Sequence, residues 1–212
     1  MTGRAWRPTP LDFERLTTAV ERAEARTSAE IVIVFRDRSG TYRDAAYLVG
    51  AGAALLGLVA IIFNPLTVHD ERLLPLELAA LFAGGTLVAT LWPWLTRPLT
   101  TAARRAGQVR TAAAARFVEE GVHRTRARTG LLIYLSALER RIELLPDAGI
   151  TAAVPPDAWQ AITQDFAVVA VAPDTVAALV DCVDRLADRL AKALPADAAD
   201  NPDEISNRPR GR

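Results

Sequence analysis

The chain has 212 residues, half of them apolar, and its 25 basic and 25 acidic side chains cancel to a formal net charge of zero. With a pI near 6.8 it has no global field to draw a polyanion, so nucleic-acid binding is not expected. The single cysteine, Cys182, excludes an internal disulfide and a thiolate metal cluster, and it fits a reducing compartment.

The opening MTGRAWRPTPLDFERL has no apolar core followed by a small-residue cleavage site, so no secretory signal peptide is expected. In TPLDFERLTTAVERAEART, Thr9 can cap a helix, Pro10 suits its first position and Asp12 favours its positive end. Phe13, Leu16, Val20 and Ala23 recur at helical spacing along one face. The β-branched run AEIVIVF (Ala29 to Phe35) lacks alternation, as expected of a strand covered on both faces.

Mean hydropathy is positive in a chain that is 24% charged, so apolar residues must be concentrated somewhere. They lie in two uncharged runs, Ala45 to Phe63 and Leu78 to Leu95. Each is near the length needed to cross the roughly 30 Å hydrocarbon core as a helix. Trp92 and Trp94 close the second run beside Arg97, where amphipathic rings prefer the headgroup level. His69 to Arg72, with Pro65 and Pro75, makes a short polar turn between the runs. The expectation is a transmembrane hairpin, because both runs are apolar on every face, whereas two helices of a water-soluble core would carry charge at their solvent edge. Gly50, Gly52, Ala53, Gly57, Gly84 and Gly85 would let the two backbones approach closely. Arg26, Arg36, Arg38 and Arg43 precede the first run and Arg97, Arg104, Arg105 and Arg110 follow the second, against Arg72 in the turn. That asymmetry puts both termini in the cytoplasm.

Beyond the hairpin, Thr100 to about Arg124 reads as a helix, Thr129 to Ser136 as a second buried strand and Arg141 to Leu145 as a third, with Ala137 to Arg140 turning between them. The first strand, this helix and the second strand would form a crossover, right-handed if the strands are parallel. Asp157 to Phe166 is a short helix, and Asp174 precedes a long one with Val176, Leu179, Val180, Val183, Leu186, Leu190 and Leu194 on one face, stopped by Pro195. The polar stretch after Pro195 is expected to be a disordered tail.

The stretch RTGLLIYLSALERRIELLPDAGI (Arg128 to Ile150), Trp159 and the TSAEIVIVF strand at Thr27 to Phe35 together resemble the TPM-domain family, which includes plant thylakoid-lumen proteins of photosystem repair and many bacterial membrane proteins. The resemblance implies an α/β fold, a small mixed β-sheet flanked by helices, here with the two-helix hairpin inserted. Residues 1–44 and 97–195 would form the TPM-like domain, 45–96 the hairpin and 196–212 the tail. Some plant members of the family are credited with acid phosphatase activity and calcium binding. The sequence departs from the longer family pattern at Asp147-Ala148-Gly149-Ile150, where many members have a glycine-aromatic-glycine turn.

The residues themselves offer little catalytic chemistry. The sequence has no phosphate loop, GxSxG, HExxH or CxxC, and His69 and His123 are far apart. Glu30, Glu139, Glu143 and Asp147 lie on or near strands, and oxygens gathered at a sheet edge could hold a hard cation such as calcium. Against that, strand-end charges are commonly solvated or paired with neighbours such as Arg140 and Arg141. Arg124, Arg126 and Arg128 could bind anions, lie on a solvated face or meet lipid headgroups. The favoured expectation is an interaction or scaffold module at the inner membrane, bound to the bilayer and to a protein partner or a second copy. The runner-up is a metal-dependent phosphatase at the membrane surface with Glu139 and Asp147 as metal ligands.

Overall fold

A computed structural model describes residues 8–63, 72–196 and 205–211. These fall into two compact units, one formed by Gly40–Arg105 and the other by the residues flanking it on both sides. His69 and most of the expected polar turn lie outside the described residues.

The flanking unit is built on a four-stranded mixed sheet in the order β3-β2-β1-β4. β1 (Glu30–Arg36) and β2 (Gly130–Ser136) are parallel, with Glu30 opposite Gly130 and Arg36 opposite Ser136. Both are buried along almost their whole length, which is why neither alternates apolar with polar. β3 (Arg141–Pro146) returns antiparallel to β2 through a turn in which Arg140 takes a left-handed backbone, φ 49°.

The two faces of β1 and β2 feed two cores. Ile31, Ile33, Phe35, Leu131, Ile133 and Leu135 meet α1 (Pro10–Glu24), α5 (Ala148–Ala153), α6 (Pro156–Val169) and α7 (Thr175–Ala193). Val32, Val34, Leu132 and Tyr134 meet Val109 and Ala113 of α4 (Ala102–Glu119) on the other face. Each leucine fully withdrawn from water here contributes about 1.5–3 kcal/mol. Thr9 and Asp12 close α1 with a reciprocal capping box, and Asp174 caps α7. Arg26 lies 2.9 Å from Asp184 and 2.7 Å from Asp188, joining α1 to α7 at the rim of the core.

Three stretches differ from the sequence reading. The helix expected to run to Arg124 ends at Glu119, and a turn of 3-10 helix follows over Val122–Arg124 after Gly121, whose φ of 70° an α-helix cannot continue. The Asp147-Ala148-Gly149-Ile150 stretch, which stands where the family pattern has a turn, begins the short helix α5 with Asp147 as its cap. The expected disordered tail is corrected at its end, since Arg210–Gly211 forms β4, parallel to β1 with Arg210 opposite Val34 and Gly211 opposite Phe35. An open strand edge presents unpaired N–H and C=O groups, and this polar segment supplies partners for some of them.

The inserted unit contains α2 (Arg43–Phe63) and α3 (Leu74–Leu91), two helices long and apolar enough to cross a membrane. They pack through small residues. A Cβ on Gly50 would come within 2.6 Å of the Phe82 carbonyl oxygen, and one on Gly85 within 2.8 Å of the Ala53 Cβ. Gly52 and Gly84, by contrast, have no described atom within 4 Å of where a Cβ would stand. Their outward surface is apolar, with Leu55, Leu56, Ile62, Phe63 and Leu76 all exposed.

Candidate functional site

Open α/β sheets place ligands at the carboxyl ends of parallel strands. At that end of β1 and β2, three segments bring four polar side chains together: Ser39 just beyond β1, Tyr134 and Ser136 on β2, and Glu139 in the turn to β3. Tyr134 and Ser136 are two residues apart on a strand and so share a face. Ser136 and Glu139 are both buried.

The hydrogen bonds fix a direction through this cluster. The Ser39 backbone N–H donates to both Glu139 carboxylate oxygens, at 3.1 and 3.2 Å, and Ser136 Oγ donates to Glu139 Oε2. Ser39 Oγ donates to Ser136 Oγ at 2.7 Å. The serine's one hydroxyl proton is then committed, so Tyr134 Oη is the donor in its 3.0 Å contact with Ser39 Oγ. Protons therefore point from Tyr134 through Ser39 and Ser136 to the Glu139 carboxylate. Burial pushes the Tyr134 phenol up, opposed by its bond to Ser39 and reinforced by the nearby negative charge of Glu139.

This arrangement encloses its hydroxyls. Glu139 could in principle draw the Ser136 proton, yet Ser136 is only 2% exposed, so no substrate atom can approach its Oγ while Ser39 is in place. What the cluster does is hold Ser39, the last residue before the inserted unit, against the end of the sheet.

The other end of the sheet carries Asp147. Its Oδ1 accepts from the Ala148 N–H at 2.8 Å, capping α5, and from Arg128 Nη2 at 2.9 Å, while Arg128 Nε lies 2.7 Å from Oδ2 as an ion pair without hydrogen-bond geometry. The guanidinium charge thus offsets a buried carboxylate of which one oxygen is hydrogen-bonded and the other is not. Arg128 reaches it from a left-handed backbone, φ 56°.

These placements correct the expected cation site. Glu139 lies beyond the Ser136–Arg141 end of the β2–β3 ladder and Asp147 beyond the Leu131–Pro146 end. Five residue steps at about 3.3 Å each put them roughly 17 Å apart. Calcium ligands must lie within about 2.6 Å of one ion, so these two acids cannot share it. Among the described residues, no group of three or more His, Cys, Asp or Glu side chains could hold a metal.

Of the remaining candidates, Glu30 stands at the Asp147 end of the sheet, opposite Gly130, whose carbonyl accepts the Asp147 N–H. The Glu30 carboxylate accepts from the Ile205 N–H at 3.3 Å, and Glu143 lies 3.8 Å from Arg141. His123 packs beside Phe117, with ring centroids 6.4 Å apart. Arg124 and Arg126 are exposed. Cys182 is buried, accepts from Arg185 at 2.9 Å, and has its thiol pushed up by that burial. Sequence reasoning missed Ser39, Tyr134 and Ser136. The available signal was Tyr134 and Ser136 at alternate positions of an otherwise apolar strand.

No family model matches the chain. No curated protein matches it either. Among solved structures, it is similar to the NMR structure of BA42 protein from the psychrophilic bacterium Bizionia argentinensis, with a TM-score of 0.59 at 16% identity, over 96% of this chain and 94% of that one. The likeness is one of fold.

Proposed function

We propose that this chain is a membrane-anchored interaction module, in which the α2–α3 hairpin spans the inner membrane and the α/β unit is a TPM-like domain on the cytoplasmic side, binding a protein partner or a second copy. The observation that carries the reading is the inverted packing of the hairpin. Leu56 is 72% exposed and Phe63 78%, while glycines occupy the contact between the helices. Water penalises such a surface, whereas lipid accepts it, and in lipid small residues at the contact supply the packing.

Helix length agrees. At 1.5 Å per residue the 21 residues of α2 extend about 31 Å and the 18 of α3 about 27 Å, close to the thickness of a hydrocarbon core. Trp92 and Trp94 are exposed where α3 ends, a position suited to the headgroup layer. Beyond them Arg105 Nη1 bonds the Arg97 carbonyl at 2.9 Å, so this cation organises the segment that leaves α3. The eight flanking arginines favour an orientation with both termini inside.

In the α/β unit, the enclosed Tyr134–Ser39–Ser136–Glu139 cluster supports a positioning role over catalysis. Metal-dependent phosphatase chemistry at Glu139 and Asp147 has no such support, given their separation. The test is topological. In a Cys182→Ala background, a cysteine at Leu73 should react with a membrane-impermeant maleimide in intact cells, and one at Asp157 only after permeabilisation. Labelling at Asp157 in intact cells would reverse the orientation, and extraction of the protein by alkaline carbonate would remove the membrane reading altogether.

A further inference from the structure

The segment Ile205–Gly211 follows the outer edge of β1 from one end to the other. Ile205 donates its N–H to Glu30 at the strand's start and packs its side chain against the core of Val32, Val34, Leu132 and Tyr134. Pro209 is buried. Arg210 and Gly211 enter the ladder opposite Val34 and Phe35. The Arg210 guanidinium bonds the Glu120 carboxylate, and Gly211 sits so close to Phe13 that a Cβ there would come within 2.9 Å of its ring. Where the ladder does not reach, Glu24 covers the edge by accepting the Ile31 N–H at 2.7 Å.

Together these contacts have the pattern of a bound peptide. An extended strand adds to a sheet edge, main-chain pairing holds it, and pockets read alternate residues. The apolar pocket takes Ile205, the Glu30 and Glu120 carboxylates take an N–H and a guanidinium, and the crowded rim at Phe13 accepts glycine. We propose that the β1 edge is a docking groove for an extended basic strand carrying an apolar residue five positions before Arg-Gly, and that its occupant in trans is the Ile205–Gly211 segment of a second copy of this chain. The groove's acidic groups and the segment's arginine are complementary on every copy, so exchange between two copies creates no new contact and breaks none. Two residues enter the ladder, so the segment is held by a few anchors that another copy reproduces in full. The inference does not depend on the membrane reading.

The experiment uses full-length chains in mild detergent. A tail-broken copy carries Ile205→Asp and Arg210→Glu with its groove intact, and a groove-broken copy carries Glu120→Arg with its tail intact. The differently tagged pair should co-purify when mixed, and each variant mixed with itself should not. A labelled peptide of residues 205–211 should bind the tail-broken copy, lose binding when the peptide carries Arg210→Glu, and regain it when that peptide meets a copy combining Glu120→Arg with Ile205→Asp. Equal co-purification in all mixtures would assign self-association elsewhere and overturn the proposal. So would peptide binding without co-purification of the mixed pair, or peptide binding indifferent to Arg210→Glu.

Discussion

Leucine behaves in opposite ways in the two units. In the α/β unit Leu16, Leu131, Leu132, Leu179 and Leu190 are fully buried, whereas in the hairpin Leu55, Leu56, Leu76, Leu87 and Leu91 are at least 59% exposed. Glycine is inverted as well, with Gly50, Gly57 and Gly85 occupying the contact between α2 and α3. The same residue types therefore stabilise by different physics. One unit gains by withdrawing large side chains from water, and the other, on the membrane reading proposed above, by close backbone approach at glycines.

The largest effect expected from that contrast is in the α/β core. Leu132→Ala should cost about 2–5 kcal/mol of unfolding free energy, because a fully buried leucine leaves a cavity that its neighbours cannot close. Leu56→Ala, at an exposed site, should shift stability by less than about 0.5 kcal/mol in the same detergent solution. Chemical unfolding of both variants checks the pair. Equal losses would mean that the hairpin surface is packed against something and that the contrast is false.

The next effect sits inside the hairpin. Gly50→Val should force α2 and α3 apart, since its Cβ meets the Phe82 carbonyl, and overpacking of this kind costs about 1–3 kcal/mol. Gly52→Val should be tolerated, because the space beside it is open among the described residues. A disulfide engineered between α2 and α3 offers the readout. Its formation rate should fall in the Gly50 variant and hold in the Gly52 one, and matching behaviour would refute glycine packing.

A smaller effect is expected at the two ends of the sheet, where buried acids are satisfied differently. Glu139→Ala strands the Ser39 N–H and the Ser136 hydroxyl and should cost about 1–3 kcal/mol. Asp147→Ala removes a helix cap and the ion pair with Arg128, at a cost of about 0.5–2 kcal/mol. Because Asp147 meets a charged partner through a half-exposed guanidinium, the cost of its loss should shrink in high salt. Salt titration of the Asp147 variant makes the measurement, and a cost unchanged by salt would show that the Arg128 charge contributes nothing there.

These differences trace how much of the molecule was legible in the sequence. β1, β2 and β3 were readable because a buried parallel pair needs unbroken apolar runs and a hairpin needs a short polar turn. The capping box of α1 was equally open to reading, being set by Thr9, Pro10 and Asp12 within a few residues. Of the glycines expected at the helix contact, Gly50, Gly57 and Gly85 meet the opposite helix and Gly52 and Gly84 do not, since composition carries no information about which face each occupies. β4 was hidden because a two-residue edge strand has no periodicity, and its pairing depends on an edge some 175 residues earlier. The Ser39 cluster was hidden for the same reason. Ser39 and Glu139 are 100 residues apart, and their meeting follows from β1–β2 pairing rather than from any local motif.

The last effect concerns that cluster and depends on pH. Tyr134 is held neutral by burial, so its phenol titrates above the value of about 10 that it has in an unfolded chain. The fold binds the proton more tightly than the unfolded chain does, and ∂ΔG/∂pH is therefore negative between the two values. The stabilisation from the neutral phenol is complete below pH ~10 and is lost as pH rises through the higher folded value. Tyr134→Phe deletes the donor to Ser39 Oγ, which lowers stability by a roughly constant 0.5–1.5 kcal/mol at neutral pH. It also removes the titration, so the variant should lose less stability than the wild type on passing above pH ~10. Every other titratable group is present in both chains, so the difference between the two slopes isolates Tyr134. Urea unfolding of both proteins across this range, with tyrosinate absorbance followed in parallel, makes the measurement. Parallel slopes would show that the phenol ionises without disturbing the fold, and the directed chain from Tyr134 to Glu139 would then not be a stabilising unit.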